Sequence, residues 1–372
     1  MNRNRVCEFP RTFVPVDADL GDWNALAPLF QNLMDRDLHS KESLEKWLLD
    51  QSELTACLSE ERARRYIAMT CHTDDVALEK RYIEFIERIE PRCKPLHHKL
   101  NEKYMACPHR SALDRARYEV LDRGVQADLD LYREENIALQ TETAKQSQAY
   151  QKLCGAMMVE FDGREQTMPQ MAKYQEETDR ARRREAWELT ANRRLQDRER
   201  MDDIFNQLVQ LRHQMARNAG SETFVDYAFR MYHRFDYTPA DCLRFHETVE
   251  SCIMPVVHAN DDRRREAMNL DALRPWDMAV DPLGRPPLRP FEEASEMAEK
   301  VERILRRIEP ELAGQFWEMH QNGELDLESR KGKAPGGYQY TLDEVRRPFI
   351  FMNAAGLQRD VETMLHEGGH AF

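Results

Sequence analysis

The chain has 372 residues, with 54 Lys plus Arg against 67 Asp plus Glu, a formal net charge of −13. That balance argues against a general nucleic-acid binder, whose affinity comes from neutralising phosphates, and against an anionic membrane surface. A mean hydropathy of −0.77, with no apolar run of the roughly 18 residues needed to span a bilayer, excludes an integral membrane protein. Gly is scarce and the good helix formers abundant, so the expected fold is mainly α, in about two domains.

The first 17 residues carry Arg3 and Arg5 but no apolar run after them, so no secretory signal is read there. Cys7, Cys57, Cys71, Cys93, Cys107, Cys154, Cys242 and Cys252 form no C-x-x-C pair. They read as reduced, mostly buried thiols of a cytoplasmic protein. Ser40 is a cap for a helix whose apolar face is Leu44, Trp47, Leu48, Cys57 and Leu58. Thr73-Asp74-Asp75 stops that segment and starts the next, with a stripe of Leu78, Tyr82, Ile83, Phe85, Ile86 and Ile89 that Pro91 closes. Pro95 and Pro108 punctuate the next stretch. Residues 111–150 read as one or two long helices with a thin apolar seam, suited to helix-on-helix packing.

Residues 157–168 break the pattern: Asp162-Gly163 between β-prone runs is a hairpin signal. A helix starts at Thr167–Pro169, and a long Arg- and Glu-rich helical run is expected from about 178 to 217. Its Arg180, Arg182, Arg183 and Arg184 alternate with acids, as on a solvated or ion-paired helix face. Thr238-Pro239 is a further helix start. The Pro-rich stretch 273–291 is a connection long enough to be functional, in which Trp276 and Asp277 are expected to be a packed anchor, with the lining of a cleft as the alternative. Helices over 291–308 and 310–321 precede a change of texture: strands at Glu324–Leu327, Tyr338–Leu342 and Pro348–Asn353, with glycine loops, feed a last helix from about Leu357.

That last helix holds His366-Glu367-Gly368-Gly369-His370, an H-E-x-x-H. Residues i and i+4 share a helix face, so both imidazoles can converge on one Zn²⁺ at about 2.0–2.1 Å. Glu367 stands beside that face, where it can act as general base on a metal-activated water. Two glycines inside a helix cost about 1 kcal/mol each relative to alanine, which suggests that this face needs room. His97, His98 and His109 lie near Cys93 and Cys107, but their spacing fits no common zinc module. His233, His246 and His258 read as structural.

The segments RPFIFMNAAG, DVETMLHEGGHAF and RKGKAPGGY carry a resemblance. The sequence is similar to the thimet oligopeptidase and oligoendopeptidase F family of zinc metallopeptidases, nearest the oligoendopeptidase F branch. Weaker echoes are RFDYTPADCLRFHETV and FDGREQTM, and the likeness is strongest from about residue 180 onward. It implies a mainly α, multi-helical, zincin-like fold with a small β-sheet next to the active-site helix. It also implies one Zn²⁺ and the hydrolysis of oligopeptides. Residue by residue, His366 and His370 would be zinc ligands and Glu367 the general base. Gly336, Gly337, Phe349 and Asn353 are expected to contact substrate, the strand by backbone pairing. An N-terminal helical domain over 1–175 and a catalytic part over 176–372 are expected.

The family places a third ligand, a Glu, on a helix beyond the motif, and further substrate-stabilising Tyr and His residues after it. No such group follows Phe372. The expectation is therefore a chain truncated just after the motif, inactive or nearly so alone. The alternative is a non-catalytic helical peptide-binding protein with a relic zinc motif. The sequence does not give peptide preference or oligomeric state.

Overall fold

Asp22 caps α1 (Trp23–Asp35), and Ser40 forms a reciprocal cap with Ser43 at the head of α2 (Lys41–Cys71). In the computed structural model, which describes residues 9–372, these two helices lay down the first core. Cys7 and the basic start of the chain lie outside the described residues. Asp75 caps α3 (Val76–Arg88), as the Thr73–Asp75 signal requires. Pro91, expected to close α3, instead opens α4 (Glu90–Ala106), where a missing N–H is harmless; Pro95 is carried inside the same helix. The expected helical stretch over 111–150 is two helices, α5 (Arg115–Leu131) and α6 (Asn136–Gly155). Leu26, Phe30, Leu33, Leu44, Trp47, Leu54, Phe85 and Leu100 make one buried cluster. At its centre Trp47 donates from Nε1 to the Leu33 carbonyl at 2.9 Å, so the largest core side chain buries no orphan donor.

The hairpin is β1 (Met158–Phe161) and β2 (Arg164–Thr167). Asp162 and Gly163 both have positive φ, 58° and 73°, the mirror-image turn that matches strand twist. Thr167 caps α7 (Met168–Met171). The long run from 178 is divided at Gln196-Asp197 into α8 (Arg180–Leu195) and α9 (Arg198–Asn218). The arginine cluster is ion-paired, and deeper than a solvated face: Arg180 and Arg183 both bond Asp277, which is fully buried. Asp277 thus anchors the Pro-rich connection onto α8. Then come α10 (Phe224–Met231), α11 (Pro239–Thr248) and α12 (Met254–Ala267). No residue of α11 or α12 is buried, so Leu243, Phe245, Val256 and Val257 stand in solvent.

The site is positioned by the remaining elements. α13 (Ala294–Ile308) and α14 (Pro310–Gln321) lead into β3 (Leu325–Glu328), β4 (Tyr338–Leu342) and β5 (Arg347–Ala354), then α15 (Gln358–Ala371). The sheet order is β3-β5-β4, with β3 parallel and β4 antiparallel to β5. β5 alternates strictly. Ile350 and Met352 pack with Met297, Phe316, Val361 and Met364 on the α13–α15 side, and Phe349 and Phe351 pack with Ala63 and Ile67 of α2 on the other. The 31-residue α2 therefore spans both cores: its first half builds the N-terminal bundle, and its second half roofs the sheet.

Candidate active site

The entry into α15 is fixed by one carboxylate. Asp360 Oδ2 accepts the N–H groups of Ala355, Gly356 and Leu357 at 2.7, 3.0 and 2.9 Å. Three otherwise orphaned donors at the helix start are satisfied together. Val361 and Met364 then bury against β5, which turns the opposite face of the helix outward. On that face the rings of His366 and His370 meet at 89°, with Nε2 to Nε2 3.1 Å. Two nitrogens held by one tetrahedral ion at about 2.0–2.1 Å would stand about 3.3 Å apart, so the pair fits a shared metal. Glu362, one turn earlier, is exposed. Among the described residues no group of three or more His, Cys, Asp or Glu side chains is placed to hold a metal ion.

Glu367 is 9% exposed and sits against the glycine loop. A Cβ added to Gly337 would lie 3.3 Å from the Phe351 carbonyl, which it would crowd, and 3.9 Å from Glu367 Oε1, an ordinary contact. α15 continues through Gly368 and Gly369 to Ala371, so the pair does not stop the helix, and the face at Gly369 is open among the described residues.

The expected substrate-contact residues divide. Gly336 and Gly337 lead into β4 beside Glu367. Phe349 is buried under α2, and β5 is the central strand with both edges taken, so no peptide can pair with it. β4 is one of the two edge strands of this sheet, β3 being the other, so its far edge is unpaired among the described residues. Asn353 is a loop holder: its amide donates to the carbonyls of Ala334 and Gly336 at 2.9 and 2.8 Å.

One part of the site has no signal in spacing or periodicity. Lys333, with its side chain fully buried, donates to Asp326 Oδ1 at 2.8 Å, to the Asp326 and Glu328 carbonyls at 3.0 and 2.9 Å, and to the Met352 carbonyl. Arg330 grips Asp326 with two bonds of 2.6 and 2.7 Å. Burial opposes ionisation of Asp326, yet the bonds from Arg330, Lys333 and Cys71 outweigh it and hold the carboxyl far below its usual range. Thr73 Oγ1 and its N–H both bond the Gly332 carbonyl, and Gly332 N bonds the Gly155 carbonyl. The glycine loop is thereby clamped to the ends of α2 and α6.

The other histidines go elsewhere. His97 meets the Phe30 ring edge-on at 5.0 Å, and burial lowers its pKa to about 4. His98 stacks on Tyr132 at 3.9 Å. His233 bonds Asp128 at 2.8 Å, and His246 and His258 are exposed. Cys93 and Cys107 are buried free thiols.

Paired imidazoles and a carboxylate stand on one helix set against a three-stranded sheet, and the sequence comparisons say which family carries them. Residues 173–372 match Peptidase family M3, and residues 13–132 match the Peptidase M3 N-terminal domain. The chain belongs to peptidase family M3. Among solved structures, Pz peptidase A, determined with an inhibitor, is 27% identical with a TM-score of 0.89; the match covers 97% of this chain and 64% of that one. A structure bearing the name oligoendopeptidase F, at 3.1 Å, is 26% identical with a TM-score of 0.89 and the same coverage. Another of that name, from Bacillus anthracis str. Ames, shares the fold at a TM-score of 0.90 and 23% identity, over 97% of this chain and 67% of that one. The M3 chain described here thus spans about two thirds of the length of the structures it matches. No curated protein matches it.

Proposed function

We propose that this M3 chain carries the core of a zinc-dependent oligopeptidase site, with His366 and His370 holding one Zn²⁺ and Glu367 as general base. The observation that carries this reading is the 3.1 Å approach of the two Nε2 atoms on the turn that presents Glu367. A zinc ion there supplies Lewis-acid chemistry, making a water acidic and tolerating negative charge on the peptide oxygen. Glu367 takes the proton of the attacking water and returns it to the leaving amine nitrogen. The β4 edge, entered from Gly336 and Gly337, lines up the peptide backbone by strand addition, which selects short unstructured peptides over folded proteins. Asn353, Lys333 and Asp326 hold that edge against Glu367.

A catalytic zinc ordinarily has three protein donors, and the described residues bring two together. The second reading is a helical protein that holds peptides without cutting them. The proposal includes an N-terminal helical part over 1–175 joined to a catalytic part from 176, and a cytoplasmic location. No helix among the described residues is long and apolar enough to cross a membrane.

The test pairs zinc titration calorimetry with cleavage of a quenched fluorescent peptide in excess zinc. Zinc binding lost in His370→Ala, with cleavage lost but zinc retained in Glu367→Gln, supports the peptidase. Zinc binding unchanged by His370→Ala refutes the metal assignment. Peptide binding without zinc and without cleavage favours the second reading.

A further inference from the structure

Three consecutive residues of β4, Tyr338, Gln339 and Tyr340, line one cleft of 450 Å³, together with Arg62 and Tyr66 of α2 and Tyr82 of α3. Successive strand residues point to opposite faces, so a cleft that touches three in a row runs along the strand's edge. That edge is the unpaired one. Its size falls within the range of small-molecule pockets, roughly 300–1,000 Å³.

The lining is aromatic. The Tyr66 ring lies 5.8 Å from each of the rings of Tyr82, Tyr338 and Tyr340. The ring planes are tilted by 60°, 49° and 44°, at spacings where aromatic rings attract one another. The one cation, Arg62, is already engaged: it pairs with Glu90 at 2.5 Å and donates to the Tyr340 hydroxyl at 3.0 Å. Its charge is compensated, so an acidic side chain finds no free partner there. On the α6 wall, Gln151 donates to the Tyr66 hydroxyl at 2.7 Å, while its own Oε1 has no partner among the described residues.

We propose that this cleft is a specificity subsite for an aromatic side chain of the peptide, on the N-terminal side of the scissile bond. The placement rests on the oligopeptidase reading. Gly337 stands next to Glu367, so the reacting bond lies at the start of β4. A peptide added antiparallel to β4 then runs its preceding residues along Tyr338 to Tyr340, at about 3.4 Å each. The side chain two or three positions before the scissile bond enters the ring of tyrosines.

The test uses the whole chain and a set of acetylated octapeptides of alanine and glycine, each with one Phe moved through the positions. Binding is read by competition against a fluorescent peptide, and cut sites by mass spectrometry in excess zinc. The expected result is binding about 10-fold tighter for Phe-bearing peptides than for the all-alanine peptide. Tyr66→Ala should remove that preference while all-alanine binding stays within about 3-fold, and Ser147→Trp, which fills the cleft from α6, should remove it too. Any cut should fall C-terminal to the Phe. Ser147→Trp leaves the tyrosines in place, so it separates a filled subsite from a damaged fold. Peptides that bind or are cut with no Phe preference, or with a preference that survives both variants, overturn the subsite and leave the peptidase reading standing. Cuts only N-terminal to the Phe overturn its placement. Absence of any peptide binding overturns both readings.

Discussion

Lys333→Met keeps an apolar stem but removes one buried charge, whose Nζ stands 4.4 Å from the Phe351 ring centroid. The variant leaves Asp326 its two bonds from Arg330, so the carboxylate does not become an unpaired buried charge. What it does lose is a charge-assisted bond and a donor to three carbonyls, those of Asp326, Glu328 and Met352. Breaking a buried ion pair from one side costs about 3–5 kcal/mol, and the surviving Arg330 fork places this case near the lower figure, about 3 kcal/mol. The urea midpoint should fall with the slope unchanged. Because Asp326→Asn weakens the same contact, the two substitutions should not add; a double-mutant cycle should return a coupling of about 1.5 kcal/mol or more. Amide exchange at 333–339 should quicken more than elsewhere, since the clamp is what seats that loop. A loss under about 1 kcal/mol, or additivity within about 0.5 kcal/mol, would show that Lys333 is merely accommodated and that something else holds the loop beside Glu367.

Four further outcomes are expected. Gly155→Ala sets a Cβ 2.8 Å from the Lys333 carbonyl and from Thr73 Oγ1, so it should destabilise by about 1–3 kcal/mol in denaturant titration, against the usual helix preference for alanine. Gly369→Ala meets no described atom within 4 Å and should stabilise the isolated chain by about 0.5–1 kcal/mol, read as a higher melting temperature. The His97 pKa is lowered to about 4 in the folded chain, so the unfolded chain binds the extra proton between that value and its ordinary 6.5. Stability should be complete above about pH 6.5 and fall as pH drops toward 4, a loss of about 3 kcal/mol that His97→Phe abolishes in pH-dependent unfolding. Replacing the exposed Leu243, Phe245 and Val256 by serine should lower binding of a hydrophobic dye without lowering the unfolding midpoint, because all three side chains are more than half exposed.

The elements near the site were legible where local chemistry alone decides them. The β4 span Tyr338–Leu342 matches residue for residue, and the last helix begins one residue after Leu357. Caps at Ser40, Asp75 and Thr238, and the Asp162-Gly163 turn, depend on side chains bonding their own neighbours, so sequence displays them directly. The paired imidazoles were legible for the same reason, since helical spacing by itself brings positions 366 and 370 together. Strand order was not. PFIFMN reads as a good strand at the edge or in the centre of a sheet, and only the partners β3 and β4 decide that Phe349 faces α2 rather than a peptide. The tyrosine cleft was equally hidden, because Tyr66, Tyr82 and Tyr340 come from α2, α3 and β4. Each tyrosine taken alone is an ordinary ring packed on an amphipathic element, Tyr82 buried and Tyr66 and Tyr340 half-buried. What makes a subsite of them is the long reach of α2, which carries the N-terminal bundle onto the sheet and leaves one edge of β4 open against it. On this account the N-terminal bundle does more than support the H-E-x-x-H helix: it supplies the wall that reads the peptide. Substitutions at Tyr66 should therefore change which peptides bind, while substitutions at Glu367 change whether they are cut.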